Sequence, residues 1–203
     1  MIDFWNKRYA APQFAYGEEP NDYFRRQLQK IPAGKLLMPA EGEGRNAVFA
    51  AKEGWEVFAF DMAGEGRAKA QKLADKNHVS IDYQVGEFSE ITLPPNHFDA
   101  IGLIYAHFPA SLRSKYHEAL GKSLRPGGMV ILEAFSKSHL TFNSVNEKAG
   151  GPKDINMLFS VEEVENDFRN YDILELIEEE VILHEGLYHD GRSAVVRFVG
   201  KKR

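Results

Sequence analysis

Two glycines that alternate with two glutamates, Glu41-Gly42-Glu43-Gly44, form the part of the sequence best suited to bind a ligand. They follow a short apolar run at residues 35–38, which predicts a strand, and precede a predicted helix over residues 45–53. Glycines at such a turn let a ligand approach the backbone closely. The helix N-terminus would attract a pyrophosphate, but two carboxylates beside it would repel one. The charges favour a cationic ligand, unless both glutamates simply face water.

Asp61 is the second candidate, because it ends the next predicted strand, residues 56–60. An acidic residue about twenty positions after the glycine loop accepts hydrogen bonds from ribose hydroxyls in nucleotide-binding folds. Aspartate is also favoured as a helix N-cap, so this residue could serve the following helix instead. The spacing from Gly42 favours ribose binding.

The elements that position these residues alternate between short apolar runs and longer amphipathic segments, which is the pattern of βαβ units. Strands are predicted over residues 35–38, 56–60, 81–85, 98–105 and 129–135, and helices over residues 45–53, 65–77 and 111–124. A capping box at Ser160 then opens a helix toward Phe168. Strands over residues 171–183 and 193–199, with a short connection, predict an antiparallel hairpin.

The composition limits the range of functions. A chain of 203 residues with a net charge of -5 predicts a single domain and makes a nucleic-acid partner unexpected. The absence of cysteine excludes disulfides, thiolate metal sites and cysteine nucleophiles. The sequence begins without a signal-peptide pattern and has no apolar stretch of membrane-spanning length, so we expect a cytoplasmic protein without a membrane partner.

The glycine loop, Asp61, Pro126-Gly127-Gly128 and the terminal hairpin together resemble class I S-adenosylmethionine-dependent methyltransferases. The resemblance implies a doubly wound α/β three-layer sandwich. Its sheet would have seven strands, mostly parallel, in the order 3-2-1-4-5-7-6 with strand 7 antiparallel. Three short motifs are similar to the branch that contains tellurite-resistance-type and thiopurine or thiol methyltransferases: Tyr16-Gly17, Pro20-Asn21-Asp22 and Gly44-Arg45-Asn46-Ala47.

The resemblance implies S-adenosylmethionine as cofactor and S-adenosylhomocysteine as product. The acceptor would be a small molecule of the thiol, chalcogen or metalloid type. Two positions depart from the family motif: Met38 replaces a carboxylate that helps to hold the methionine ammonium, and Ala40 replaces the first glycine. We therefore expect Glu41 to supply the missing charge.

Carried over residue by residue, the resemblance implies a cofactor site at the carboxyl edge of the sheet. Its members are Tyr16, Pro39, Ala40, Glu41, Gly42, Gly44, Arg45, Asn46, Asp61, Met62, Glu87, Phe88 and Tyr105. Phe88 could equally serve core packing. His107 is the candidate for a general base or for positioning the acceptor, and Tyr105 competes for that role. His139, His184 and His189 show no metal-ligand spacing, which predicts solvated or structural roles and no metal site.

Residues 1–34 predict an irregular, aromatic cap over the open end of a core formed by residues 35–203. We expect the acceptor pocket to be built from this cap and from residues 136–158, in a monomer or a homodimer. Two rival functions stay open. One is a non-catalytic S-adenosylmethionine-binding protein, suggested by Met38 and Ala40, and the other is a nicotinamide-dependent oxidoreductase.

Overall fold

A seven-stranded sheet forms the centre of the protein in a computed structural model that describes residues 1–203. The strand order is β3-β2-β1-β4-β5-β7-β6, with β7 antiparallel to β5 and β6 and the other pairs parallel. The strands are β1 (Lys35–Pro39), β2 (Glu56–Asp61), β3 (Asp82–Val85), β4 (Phe98–Ile104), β5 (Leu124–Phe135), β6 (Tyr171–Glu185) and β7 (His189–Lys202). The predicted fold class, strand order and antiparallel hairpin are confirmed.

Helices cover both faces of the sheet and complete the three layers. They are α1 (Ile2–Tyr9), α2 (Asp22–Leu28), α3 (Arg45–Lys52), α4 (Gly64–Lys76), α5 (Arg113–Ser123), α6 (Leu140–Asn143) and α7 (Val161–Asp167). The capping box at Ser160 is confirmed, since its side chain and that of Glu163 each accept a hydrogen bond from the other's backbone N–H. Alternation along β1 places Met38 in one apolar core and Leu37 in the other.

Two helices, α1 and α2, form within the aromatic N-terminal segment, so the prediction of an irregular cap was wrong for residues 2–9 and 22–28. Helix α2 has a local signal: the Asn21 side chain accepts a hydrogen bond from the Phe24 N–H, and Phe24 and Leu28 then recur at helical spacing. Helix α1 lacks a side-chain cap at Met1 and packs on α4. Tertiary contacts, rather than local sequence, therefore define the first helix.

Residues 136–158 lie in the wrong place to form an acceptor pocket. They contain three 3₁₀ turns and α6, and they pack against β7. His139 anchors this segment: its ring stacks on Phe135 at 4.1 Å, and its Nε2 lies 3.0 Å from the Gly150 carbonyl oxygen. Buried contacts with the sheet thus hold the segment away from the glycine loop. No helix in the structure is both long and apolar enough to span a membrane.

Candidate functional site

The carboxyl ends of β1, β2 and β4 open into a cavity of about 240 Å³, which α1 covers from the N-terminal side. Its wall combines the glycine loop, the loops after β2, β3 and β4, and one residue of β7. The lining residues are Met1, Trp5, Tyr9, Tyr16, Ala40, Glu41, Gly42, Glu43, Arg45, Asn46, Phe60, Asp61, Met62, Gly86, Glu87, Phe88, Ile104, Tyr105, His107, Phe108, Pro109, Leu112, Tyr116 and His189. Ligand sites of open α/β sheets occur at this edge.

The structure brings most of the predicted site residues to this one cavity. The members that line it are Tyr16, Ala40, Glu41, Gly42, Arg45, Asn46, Asp61, Met62, Glu87, Phe88, Tyr105 and His107. Pro39, the last residue of β1 and paired in the sheet opposite Phe60, does not line the cavity. Gly44 does not either: a Cβ there would lie 2.5 Å from the Ala70 Cβ, so this glycine allows α3 to approach α4.

Glu41 is buried at the start of α3, where its carboxylate satisfies the helix N-terminus. Its Oε1 accepts hydrogen bonds from the backbone N–H groups of Asn46 at 2.9 Å and Ala47 at 2.8 Å. Burial outweighs these bonds and raises the pKa of Glu41 to about 7. A cation that enters the cavity would favour the ionised form, so Glu41 can respond directly to a charged ligand.

Glu43 does not face water, so the alternative that both glutamates of the glycine loop are solvated is wrong for this residue. Its side chain is buried, and its Oε1 lies 2.7 Å from the Lys69 ammonium in α4. Its Oε2 accepts a hydrogen bond from the Ala15 N–H at 2.8 Å. The Lys69 ammonium also donates to the Gln13 carbonyl oxygen at 2.6 Å. Glu43 therefore ties the N-terminal segment to the glycine loop.

Asp61 joins the glycine loop to the loop before α4. Its Oδ2 accepts a hydrogen bond from the Gly42 N–H at 3.0 Å, and its Oδ1 accepts one from the Ala63 N–H at 2.8 Å. Burial raises the pKa of Asp61 from its usual range. The residue thus supports the loops and lines the cavity at the same time.

Aromatic rings line the end of the cavity beyond β3. The half-buried Phe88 ring packs on Tyr116 at 4.2 Å and lies 6.0 Å from both Phe60 and Phe108. Phe88 therefore packs against the core and also presents surface to the cavity. Such a wall suits a planar, apolar group.

The two candidates for a general base lie together after β4, but no hydrogen bond in the protein orients either of them to accept a proton. The Tyr105 hydroxyl donates to Glu133 Oε1 at 2.8 Å, and burial raises its pKa. His107 Nε2 is shielded and has no hydrogen-bond partner in the protein. Burial lowers the pKa of His107 to about 3, so the ring is neutral, and its Nε2 lacks a partner that would orient it.

His189 is a cavity residue that the sequence analysis missed, because it was assigned a solvated or structural role. Its ring is buried and lies 4.4 Å from the Tyr16 ring and 4.6 Å from the Tyr105 ring. The available signal was Glu185, four residues earlier in the same hairpin. Trp5 and Tyr9 were missed as site residues because only tertiary packing places α1 on the cavity.

The charges around the cavity suit a cation better than an anion. Glu41, Asp61 and Glu87 contribute carboxyl groups, and Arg45 is held by Glu185 at 2.8 Å. Met38 is buried in the core and does not line the cavity, so position 38 does not supply the carboxylate that the family motif has there. Glu41 is the nearest acidic residue in the chain that reaches the cavity.

Comparisons with known proteins agree with this fold. Residues 37–128 match a family model described as "Methyltransferase domain". No curated protein sequence matches the chain. A structure described as "Conversion of a Disulfide Bond into a Thioacetal Group during Echinomycin Biosynthesis" has a TM-score of 0.79 at 14% identity, covering 100% of this chain and 92% of the other.

Two further structures are similar over the full length of this chain. TehB from Haemophilus influenzae has a TM-score of 0.72 at 14% identity, with 67% of its own chain covered. An S-adenosylmethionine-dependent methyltransferase from Anabaena variabilis has a TM-score of 0.70 at 19% identity, with 93% of its chain covered. Residues 37–128 thus match a methyltransferase domain, and the whole chain has the fold shared by these structures.

Proposed function

We propose that the chain binds S-adenosylmethionine in this cavity and transfers its methyl group to a small acceptor. The observation that carries the proposal is the position of two carboxyl groups, Glu41 and Asp61, on one cavity at the carboxyl ends of β1 and β2. A sulfonium and an ammonium match these charges, whereas a pyrophosphate does not. The antiparallel β7 also departs from the nicotinamide-dependent dehydrogenase pattern.

The residues present fit the cofactor at three places. Asp61 would accept hydrogen bonds from ribose hydroxyls, the Phe88 wall would contact the adenine, and Glu41 would face the methionine ammonium. The cofactor supplies a methyl group already activated by a sulfonium sulfur. The chain's own contribution is to hold the two reactants in line and to exclude water, which α1 favours by covering the cavity.

The departure at Ala40 leaves the loop in the shape that glycine would give it. Ala40 adopts a left-handed conformation with φ of 53°, which costs an L-residue about 1 kcal/mol. Gly42 follows with φ of 62°. Strained residues held in place by their surroundings are typical of functional sites. This geometry supports a loop that still binds the cofactor, although Ala40 replaces the first glycine of the motif.

The acceptor that we propose is a small molecule of the thiol, chalcogen or metalloid type, and the site acts in a monomer or homodimer in the cytoplasm. Support for a small acceptor comes from the size of the cavity, about 240 Å³, and from the aromatic side chains of Trp5, Tyr16 and Phe108 that line it. Support for the tellurite-resistance-type branch comes from the sequence motifs and from the fold similarity to TehB. A long polymer would require α1 to leave the cavity.

Methyl transfer can be tested by following S-adenosylhomocysteine formation with a panel of small thiols, selenite, tellurite and arsenite. We expect product only in the presence of at least one acceptor. Product formation that requires added RNA, DNA or protein would contradict a small acceptor. Tight S-adenosylmethionine binding without product across the panel would favour the non-catalytic alternative.

Replacing Asp61 with Ala should weaken S-adenosylmethionine binding by about 1–3 kcal/mol, because ribose hydroxyls would lose their acceptor. The same variant leaves the N–H groups of Gly42 and Ala63 unpaired, so some stability is lost as well. Asp61→Asn keeps one acceptor oxygen and should lie between Ala and wild type in both measurements. Calorimetric titration of a variant shown to be folded checks the affinity, and unchanged affinity would assign Asp61 to loop support alone.

Glu41→Gln should weaken S-adenosylmethionine binding by about 1.5–3 kcal/mol and remove its pH dependence. With a pKa near 7, Glu41 is largely protonated at pH 6 and largely ionised at pH 8. A cationic ligand prefers the ionised form, so wild-type affinity should rise with pH by at most about tenfold per unit below 7 and then level off. Calorimetry between pH 6 and 8 measures this slope.

The matched control is Glu87→Gln, which changes an exposed carboxyl group at the other end of the same cavity. This variant should keep the wild-type pH slope. Equal slopes in Glu41→Gln and wild type would show that Glu41 does not contact the ligand charge. In that case Glu41 would act only as the cap of α3.

A further inference from the structure

We propose that His189 is a catalytic residue that accepts the proton of the acceptor's nucleophile at Nε2, with Glu185 and Arg45 as positioning residues. This inference rests on the proposed function and narrows the acceptor to one that carries an O–H, N–H or S–H group. His189 is the first residue of β7, beside Tyr105 at the end of β4. Both rings line the same cavity.

The two nitrogens of His189 have different surroundings. Nδ1 lies 3.2 Å from Glu185 Oε2, and Nε2 forms no hydrogen bond within the protein. A carboxylate at Nδ1 requires that this nitrogen carry the proton. The lone pair is therefore on Nε2, the nitrogen without a partner in the protein. Burial lowers the pKa of His189 to about 4, which keeps the ring neutral before reaction.

Glu185 is held firmly enough to fix this tautomer. Its Oε2 also accepts a hydrogen bond from Arg45 at 2.8 Å, and its Oε1 accepts one from the Asn21 side chain at 2.9 Å. Although burial opposes ionisation, the Arg45 guanidinium and His189 lower the pKa of Glu185 to about 2. A permanently ionised carboxylate orients the imidazole and stabilises the imidazolium that proton uptake creates.

The other groups at this end of the cavity do not offer the same chemistry. The Tyr105 oxygen is already bonded to Glu133, and His107 has no partner that would fix its tautomer. The charge of Arg45 is already balanced by Glu185 at 2.8 Å. A neutral acceptor that donates a hydrogen bond is the complement of an unprotonated Nε2.

The proposed step conserves atoms and charge. A lone pair on the acceptor's oxygen, nitrogen or sulfur forms the bond to the methyl carbon, and the electron pair of the breaking carbon–sulfur bond goes to sulfur. The acceptor's proton passes to His189 Nε2, and the imidazolium returns it to water after the product leaves. Such proton transfer contributes about 10²–10⁴-fold in rate.

Nitrogen NMR of the histidine rings in the S-adenosylhomocysteine-bound protein tests the inference without turnover, using phenol and anisole as probes. These two probes differ in the O–H group that His189 would accept. We expect His189 to be the Nδ1–H tautomer, and its Nε2 resonance to shift with phenol but not with anisole. A Nε2–H tautomer, or equal responses to both probes, would overturn the inference.

His189→Asn identifies the His189 nitrogen resonances, because they disappear from its spectrum. The variant also removes the Nε2 lone pair, while its amide N–H can still donate to Glu185. His184→Asn is the matched control, since His184 is exposed on β6 of the same hairpin and pairs with Asp190. We expect His184→Asn to bind S-adenosylhomocysteine within about threefold of wild type and to keep the phenol response, whereas His189→Asn, shown by circular dichroism to be folded, should lose the phenol response. Failure of wild type to bind S-adenosylhomocysteine would instead contradict the proposed function.

Discussion

Glu43→Gln should lower the free energy of unfolding by about 3–5 kcal/mol, the cost of leaving one member of a buried ion pair without its partner. The variant keeps the shape of the side chain but removes the charge that faces Lys69 at 2.7 Å. It also weakens the hydrogen bond from the Ala15 N–H, which holds the N-terminal segment in place. Urea unfolding of the variant and wild type, each without ligand, measures the difference.

A matched control exists on the same helix. Glu18 of the N-terminal segment pairs with Lys76 of α4, the helix that also carries Lys69, but both side chains are exposed. Glu18→Gln should cost less than about 1 kcal/mol. Similar losses in the two variants would mean that the Glu43 pair is open to water. The role of Glu43 in anchoring the N-terminal segment would then be untenable.

Glu133→Gln should be comparably destabilising, by about 3–5 kcal/mol. Glu133 is fully buried in β5 and receives hydrogen bonds from Asn21 at 2.7 Å, Tyr105 at 2.8 Å and Arg197 at 2.5 Å. An amide in this position would turn an NH₂ group toward one of these donors and would leave Arg197 with less negative charge. Thermal and urea unfolding measure the loss.

Glu179→Gln is the control for Glu133, because Glu179 pairs with the same Arg197 guanidinium from a half-exposed position. We expect a loss below about 1 kcal/mol. Glu133→Gln should also release the Tyr105 hydroxyl, so the cavity of this variant should bind S-adenosylhomocysteine more weakly. A stable Glu133→Gln protein with wild-type affinity would show that this network does not organise the site.

The sequence carries enough local information to predict the sheet. Near-continuous apolar runs such as β4 are typical of strands buried on both faces. The N-terminal end of β5 was missed because Pro126-Gly127-Gly128 predicts a break before a strand at Met129, whereas the chain is already extended from Leu124. The glycine loop and Asp61 were predictable because they lie at the carboxyl ends of two predicted strands, where open α/β sheets bind ligands.

The rest of the site depends on contacts between distant parts of the chain. Local sequence predicts Glu43 to be a solvated loop residue, because its partner Lys69 lies in α4 and is brought beside it only by tertiary packing. Local sequence predicts His189 to be an ordinary hairpin residue. Its place at the cavity depends on the register of β6 with β7, which pairs it with Glu185. Residues 136–158 were expected to build part of the acceptor pocket, but buried contacts of His139 hold them on β7. These are long-range effects that local patterns do not contain.

Isothermal titration calorimetry with S-adenosylmethionine at pH 8, beside NAD under the same conditions, tests the central claim most directly. The acidic cavity predicts micromolar binding of S-adenosylmethionine, an increase in melting temperature with ligand, and no heat with NAD. Absence of both heat and thermal shift at millimolar S-adenosylmethionine, or NAD binding of equal strength, would contradict the account.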